Sequence, residues 1–183
     1  MSEPERPWTV LNSRLIHDGS PWIKLYQDTI RTGSGRVVED FHRIEARDFA
    51  LVFARAADGR IIVLRHWRQG PGRFVFGFAG GHVDPGEDPA SAALRELSEE
   101  TGYAAASVRA LGRFCLHSNF GIGWGHFFLA EGVTGAPGRD TDDLETAAVR
   151  VLDEADLRAA LDDGEVATVH DALCAHLALA AGG

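Results

Sequence analysis

Residues 81–103 read GHVDPGEDPASAALRELSEETGY and predict a loop that leads into a helix. The helix is expected from about Pro89 to Thr101, because Asp88 suits the N-cap position and proline is favoured in the first turn. Gly102 follows where a left-handed C-cap residue belongs. Apolar side chains recur at the i, i+3, i+4, i+7 spacing of a core-facing stripe: Ala90, Ala93, Leu94 and Leu97. The segment therefore predicts a capped helix with one buried face.

Three glutamates mark another face of the same helix. Glu96 and Glu100 stand one turn apart, and Glu99 follows Glu96 at the i, i+3 spacing. Like charges at these spacings destabilise a helix by roughly 0.2–0.5 kcal/mol per pair, and the C-terminal end of a helix disfavours anions. A solvated acidic face is the ordinary explanation. The alternative is a hard divalent cation, Mg²⁺ or Mn²⁺, which binds carboxylate oxygens and takes its other ligands from water and substrate phosphates.

The whole segment resembles the Nudix box, the signature of hydrolases that act on a nucleoside diphosphate linked to another moiety. All fixed positions of the signature are present: Gly81, Glu87, Arg95, Glu96, Glu99, Glu100 and Gly102. The resemblance implies that Glu96, Glu99 and Glu100 bind the metal, with the backbone carbonyl of Gly80 as a further ligand. It also implies that an Arg95–Glu87 ion pair fixes the loop against the helix. A nucleotide-binding module that has lost its activity is the competing interpretation.

The order of segments resembles the ADP-ribose and nucleotide-sugar pyrophosphatase branch of that family over roughly residues 10–178. The resemblance implies a Nudix-type α/β/α sandwich with a mixed sheet. It also implies an N-terminal β extension at 1–45 that forms a domain-swapped homodimer, and a hydrolase domain at 46–183. From the residue pattern, strands are predicted at 8–17, 22–30, 36–45, 49–55, 61–66, 73–79, 107–116, 124–132 and 147–152, and two later helices at 153–162 and 166–180.

Two arginines are candidates for the substrate's phosphates, because a guanidinium matches phosphate oxygens in a bidentate fork. Arg68 stands where the branch has an arginine that contacts the nucleotide diphosphate, and Arg65 is the second candidate. A surface ion pair is the alternative for both. Further along, Asn119, Phe120 and Trp124 could bind a base or a sugar, and the alternative is that the two aromatic rings belong to the sheet core.

Two departures from the branch leave the substrate open. Where the branch reads Trp-Glu-Leu-Pro-Ala-Gly before the box, this chain has Gly77 in place of the acid and Ala79 in place of the proline. The Ser-Pro-Gly segment of the ADP-ribose enzymes is absent from 117–124, which reads HSNFGIGW. ADP-ribose, another nucleotide sugar, a dinucleotide polyphosphate and a coenzyme therefore all stay candidates.

An acidic block at 140–145 lies where the branch places a loop with a catalytic glutamate. Glu145 is the first candidate for the general base and Asp143 the second, with a solvated loop as the alternative. Glu99 completes the catalytic set. The expected reaction is metal-assisted attack of water on a pyrophosphate bond, with a carboxylate that takes the proton.

Composition excludes several other classes of protein. The 183 residues carry a formal net charge of −9, which argues against a nucleic-acid partner but not against a small phosphate ligand beside a metal. Cys115 and Cys174 form no CxxC pair, which favours a reducing compartment and no zinc site. No signal peptide is visible in Met1–Trp8, and no apolar run approaches the roughly 20 residues of a membrane helix. A cytoplasmic homodimer without a membrane partner is expected.

Overall fold

The computed structural model of the protein describes residues 7–135 and 147–182. These residues form two compact units. The N-terminal unit consists of the residues up to Asp48 together with Cys115–Trp124, and the core unit contains all other described residues. The sequence-based boundary between residues 1–45 and 46–183 stays a prediction.

In the described residues, seven strands precede the first helix and four more follow it before the last two helices, without a regular βαβ pattern. The strands are β1 (Thr9–Gly19), β2 (Ile23–Arg31), β3 (Val37–Ala46), β4 (Phe49–Ala56), β5 (Ile61–Arg68), β6 (Arg73–Gly77), β7 (Ala79–His82), β8 (Tyr103–Ala104), β9 (Arg109–His117), β10 (Gly121–Gly135) and β11 (Ala148–Leu152). The helices are α1 (Pro89–Thr101), α2 (Glu154–Asp162) and α3 (Val169–Ala181). The predicted elements are confirmed with small shifts at their ends, except that the strand expected at 73–79 is divided in two and β8 was not predicted.

The division between β6 and β7 falls at Phe78. β6 pairs with β5, whereas β7 pairs with β4, so the chain changes its partner strand at this residue. The Phe78 N–H donates to the Asp171 carboxylate at 2.9 Å instead of to a strand. A distant side chain therefore ends the first strand, which is why the local sequence predicted an unbroken one.

The N-terminal unit is built on an antiparallel meander of β1, β2 and β3. Its buried carboxylate is Asp28, which accepts hydrogen bonds from Arg43 Nε at 2.8 Å and from Ser13 Oγ at 2.5 Å. The Arg43 guanidinium also lies over the Tyr26 ring, 4.2 Å from its centroid. This polar network links all three strands, while many large apolar side chains of the unit stay exposed.

A mixed sheet forms the centre of the core unit. β4 pairs in parallel with β10 and antiparallel with β5 and β7. β5 continues the sheet through antiparallel pairs with β6 and β11. Successive residues of β4 point to opposite faces, so Leu51 and Phe53 pack with α2 and α3, whereas Ala50 and Val52 pack with α1. Burial on both faces explains the nearly continuous apolar runs of β4 and β5, and the α/β/α fold class is confirmed.

Helix α1 begins and ends where its caps predict. The Asp88 side chain accepts from the Ser91 N–H at 3.1 Å, and Gly102 takes a left-handed conformation with φ of 75°. The predicted stripe is partly wrong: the buried residues are Ala92, Ala93, Leu97 and Thr101, whereas Ala90 and Leu94 are half-buried. The buried face is therefore rotated toward Ala92, because the helix rests on β4 and β7 at an angle that the apolar pattern alone does not fix.

Candidate active site

Arg95 ties the loop before α1 to the helix. Its Nε and one terminal nitrogen donate to the two carboxylate oxygens of Glu87 at 3.0 and 3.1 Å. The same terminal nitrogen donates to the His82 carbonyl at 3.2 Å. Glu87 in turn accepts from the Asp84 N–H at 2.9 Å. The hydrogen bonds of Glu87 raise the pKa of Arg95 further above its ordinary value, so the guanidinium stays charged.

Two of the three glutamates reach the backbone of β7. The Gly80 N–H donates to the Glu100 carboxylate at 2.8 Å. A Cβ on Gly81 would lie 2.4 Å from Glu96 Oε1, so only glycine leaves room for that carboxylate. Glu99 is different: its side chain is 58% exposed, against 14% for Glu96.

The surroundings of Glu96 favour its neutral form. Burial raises its pKa, the hydrogen bond and charge of Arg95 oppose that shift, and the nearby Glu99 and Glu87 add to it. The Arg95 guanidinium lies between two of the carboxylates, since it donates to Glu96 at 2.7 Å and to Glu99 at 3.1 Å. A cation in contact with a half-buried anion favours its charged form.

The donor chemistry fits a hard divalent cation, because the carboxylates of Glu96 and Glu100 both lie against the glycine backbone of β7. Within residues 7–135 and 147–182, no three acid, histidine or cysteine side chains converge as a ready-made metal group. One terminal nitrogen of Arg95 donates to both Glu96 and Glu99, so a cation already occupies the space between these two carboxylates. The assignment of Glu96, Glu99 and Glu100 as ligands stays a prediction.

A cavity of about 430 Å³ opens beside the same two glycines. Its lining residues come from four parts of the core unit: Phe49, Leu51, Arg68, Gln69, Gly70, Pro71, Gly80, Gly81, His82, Thr168 and His170. Arg68 gives this lining a positive charge, and no described carboxylate belongs to it. A cavity of this size with a positive wall suits a small anionic ligand such as a nucleotide diphosphate.

The structure separates the two candidate arginines. Arg68 lines the cavity. Arg65 is not among its described lining residues: it donates to Glu165 at 2.7 Å, and its guanidinium lies 4.9 Å from the Phe76 ring centroid. Residues 65 and 68 are three apart on β5 and so point to opposite faces of the sheet.

The three residues proposed for a base or a sugar belong to the N-terminal unit. Phe120 stacks on His117 at 4.5 Å between ring centroids, and the N–H groups of Asn119 and Phe120 donate to His117 Nδ1. The Trp124 N–H donates to Asp48 at 3.1 Å. Both aromatic side chains are 40% exposed, so they lie at the surface of this unit and not in a sheet core.

The candidates for the general base, Glu145 and Asp143, lie outside the described residues. Their roles stay predictions.

Sequence reasoning missed Thr168 and His170, which line the cavity, and the buried pair of His66 and Asp171. Thr168 is the N-cap of α3 and lies three residues before Asp171, a spacing that could have been read as a capping signal. His66 follows the apolar residues 61–64 and Arg65 on β5, and a histidine on such an apolar strand is itself a signal. Their places at the cavity depend on contacts between distant parts of the chain.

Two protein families match this chain. The family described as NUDIX domain matches residues 46–171, and the one described as nucleoside diphosphate sugar hydrolase N-terminal domain matches residues 8–44.

Individual relatives point in the same direction. The CMP-5'-(N-acetyl-N-hydroxy-3-aminopropyl)phosphonate hydrolase of Streptomyces rubellomurinus is 31% identical over 150 residues, which cover 81% of this chain and 71% of that protein. The ADP-ribose pyrophosphatase of Bacillus subtilis is 33% identical over 109 residues, which cover 60% of this chain and 58% of that protein. A crystal structure of an ADP compounds hydrolase superposes with a TM-score of 0.79 at 21% identity, over 96% of this chain and 94% of the other. This last likeness concerns the fold.

Proposed function

Because the chain belongs to the NUDIX family of hydrolases, we propose that it hydrolyses the pyrophosphate bond of a nucleoside diphosphate linked to another moiety. The products are a nucleoside monophosphate and a phosphorylated partner. The observation that carries the proposal is the cavity with Arg68 on its wall, which adjoins the glycines contacted by Glu96 and Glu100. One site thus combines a positive group for the phosphates with oxygen ligands for a cation.

The proposed cofactor is Mg²⁺, with Mn²⁺ as the other candidate. Glu96, Glu99 and Glu100 would hold it together with the Gly80 carbonyl, and it would neutralise charge on the diphosphate. Arg95 holds the loop against the helix through Glu87, and this keeps the glycine backbone beside the carboxylates of α1.

Other side chains of this chain are proposed to bind the substrate and to transfer the proton. Arg68 binds phosphate oxygens in the cavity. Glu145, or failing that Asp143, takes the proton of the attacking water, and Glu99 is the remaining catalytic candidate. Asn119, Phe120 and Trp124 are proposed for the base or sugar, and the exposure of both aromatic rings supports that role over a core role.

The proposed substrate class is the ADP-ribose or nucleotide-sugar type. The ADP-ribose pyrophosphatase among the relatives supports an adenosine nucleotide, whereas the hydrolase of a CMP-linked phosphonate shows that a cytidine nucleotide belongs in any trial. The second candidates are a dinucleotide polyphosphate or a coenzyme. The aligned parts cover from 38% to 71% of the relatives, so activity and substrate are proposals for this chain.

The N-terminal β extension at 1–45 is proposed to form a homodimer. Its strands and the residues beside them expose large apolar side chains, which monomeric surfaces seldom carry in such number. They include Trp8, Val10, Leu11, Leu15, Ile16, Trp22, Ile23 and Val37. We place the dimer in the cytoplasm, with no nucleic-acid or membrane partner. In the part of the chain that the structure describes, no helix has the length and apolar character to cross a bilayer.

The test is an assay of the purified protein with Mg²⁺ or Mn²⁺ against adenosine, uridine, guanosine and cytidine diphosphates linked to a sugar or phosphonate, with dinucleotide polyphosphates and coenzymes alongside. Chromatography of the products is expected to show a nucleoside monophosphate. Tight binding of a nucleotide without any product would instead favour a binding module. Light scattering of the same sample measures the mass, and a strict monomer would contradict the dimer.

A further inference from the structure

Two buried polar side chains meet at one glycine of the core unit. His66 is 1% exposed and Asp171 is 2% exposed. A Cβ on Gly77 would lie 2.8 Å from His66 Nε2 and 3.1 Å from each carboxylate oxygen of Asp171. Real Cβ atoms essentially never approach another atom within 3.0 Å. Gly77 therefore leaves the space that these two polar groups share.

His66 is connected to the cavity through Arg68. The Arg68 Nε–H donates to His66 Nε2 at 3.1 Å. The two side chains stand at positions i and i+2 of β5 and so share one face of the strand. For Nε2 to accept, the imidazole must be neutral with its proton on Nδ1. Burial, followed by the charge of Arg68, lowers the pKa of His66 to about 4, which is consistent with a neutral ring at neutral pH.

Asp171 fixes another part of the cavity wall. Its carboxylate accepts from the Phe78 N–H at 2.9 Å and from the Thr168 hydroxyl. Thr168 and His170 both line the cavity. Asp171 and His66 both occupy the space beside the Cα of Gly77, and a buried ring packed in this way has little freedom to move.

We propose that His66 is a positioning residue that orients the Arg68 guanidinium toward the substrate's phosphates, and that Gly77 makes this arrangement possible. The inference rests on the proposed function, since it needs Arg68 to bind phosphate. A guanidinium held at its Nε has its terminal nitrogens directed before the ligand arrives, which lowers the ordering cost of binding. The effect falls on substrate binding and leaves the chemical step unchanged.

The kinetic test compares side chains that keep or lose the acceptor. His66→Gln places an oxygen near the position of Nε2 and is expected to keep KM within about threefold of the wild type. His66→Asn, whose polar atoms instead match Nδ1, is the matched control, and is expected to raise KM about tenfold with kcat nearly unchanged, the loss expected for one hydrogen bond. Equal KM values for the two variants, or a fall in kcat with KM unchanged, would contradict the positioning role.

A double-variant cycle separates positioning from general damage to the fold. In an Arg68→Ala background, His66→Asn is expected to have no further effect on KM, because the side chain it positions is gone. Two independent losses that multiply would overturn the inference. Gly77→Ala gives a second route to the same result, since its methyl group displaces the imidazole, and it is expected to resemble His66→Asn.

Nuclear magnetic resonance tests the contact without any substrate. A hydrogen bond between Arg68 Nε–H and His66 Nε2 is expected to give a nitrogen–nitrogen coupling across the bond in the wild type, and none in His66→Asn. Absence of the coupling in the folded wild-type protein overturns the role of His66, even if turnover is normal. Absence of turnover on every substrate, with the coupling present, instead counts against the proposed function.

Discussion

The two units of this protein differ in how far they bury their apolar side chains. In the core unit, both faces of the sheet are covered by helices, and Leu97 of α1 is 0% exposed. In the N-terminal unit, β1 has no buried residue, and Leu15 on that strand is 46% exposed. The core unit therefore stabilises itself through its own packing. The N-terminal unit has apolar surface left over, and this is the property expected of a surface that binds a partner.

A leucine-to-alanine substitution in each unit tests this difference in burial most strongly. Leu97→Ala removes a fully buried side chain and is expected to lower the free energy of unfolding by about 2–5 kcal/mol. Leu15→Ala is expected to change it by less than about 0.5 kcal/mol at protein concentrations where no dimer forms. Urea unfolding measures both values. A large loss from Leu15→Ala in the monomer would show that the N-terminal unit packs its apolar residues as the core unit does.

The two units should also lose stability in different pH ranges. Burial, then the charges of Arg68, His170 and Arg65, lowers the pKa of His66 to about 4 from its ordinary 6.5. As the pH drops, the unfolded chain takes up this proton near pH 6.5, whereas the folded chain takes it up only near pH 4. The free energy of unfolding therefore decreases as the pH is lowered from 6.5 to 4, by up to about 3 kcal/mol. His66→Gln should remove this slope in urea unfolding at a series of pH values. An unchanged slope would mean that other groups cause it.

In the N-terminal unit the buried group is an acid, so its pH range lies lower. Burial alone would raise the pKa of Asp28, but hydrogen bonds from Arg43 and Ser13 outweigh it and hold the pKa below 3.8. The contribution of Asp28 is therefore complete above about pH 3.8 and is lost as the pH falls through the lower folded value. Asp28→Asn should reduce the pH dependence of the free energy of unfolding only in that acidic range, as measured by urea unfolding at a series of pH values. A slope that changes above pH 5 would contradict the assignment.

The smallest difference is expected between two aspartates that bind the backbone. Asp88 caps α1, and Asp88→Ala should cost about 1 kcal/mol of the free energy of unfolding. Asp18 accepts from the Ser20 N–H at 3.0 Å in an exposed turn of the N-terminal unit, and Asp18→Ala should cost less. Thermal unfolding of both variants checks the order. The reverse order would show that the turn matters more to the fold than the helix cap.

The sequence predicts those features whose causes lie within a few residues along the chain. Helix α1 was predicted to the residue, because Asp88, Pro89 and Gly102 act within one turn of its ends. The break at Phe78 was not, because its cause is Asp171, which lies 93 residues further along the chain. The same limit applies to the cavity, whose wall joins β5 to the start of α3.

The candidate site shows the same division. The spacing of Glu96, Glu99 and Glu100 is visible in the sequence, but the exposure that distinguishes Glu99 from Glu96 depends on Arg95 and Gly81 in three dimensions. Likewise, the alternation of a strand separates Arg65 from Arg68, yet only the placement of Glu165 shows where Arg65 is held.

The most direct test of the proposed activity is turnover by Glu96→Gln beside the matched exposed change Glu154→Gln, whose glutamate pairs with Arg158 on α2. With Mg²⁺ and the substrate that the wild type hydrolyses, Glu96→Gln is expected to lose more than about 100-fold in kcat/KM, since even side chains that merely support metal ligands cost 10–100-fold. Glu154→Gln should match the wild type. Turnover by Glu96→Gln at the wild-type rate would contradict the account.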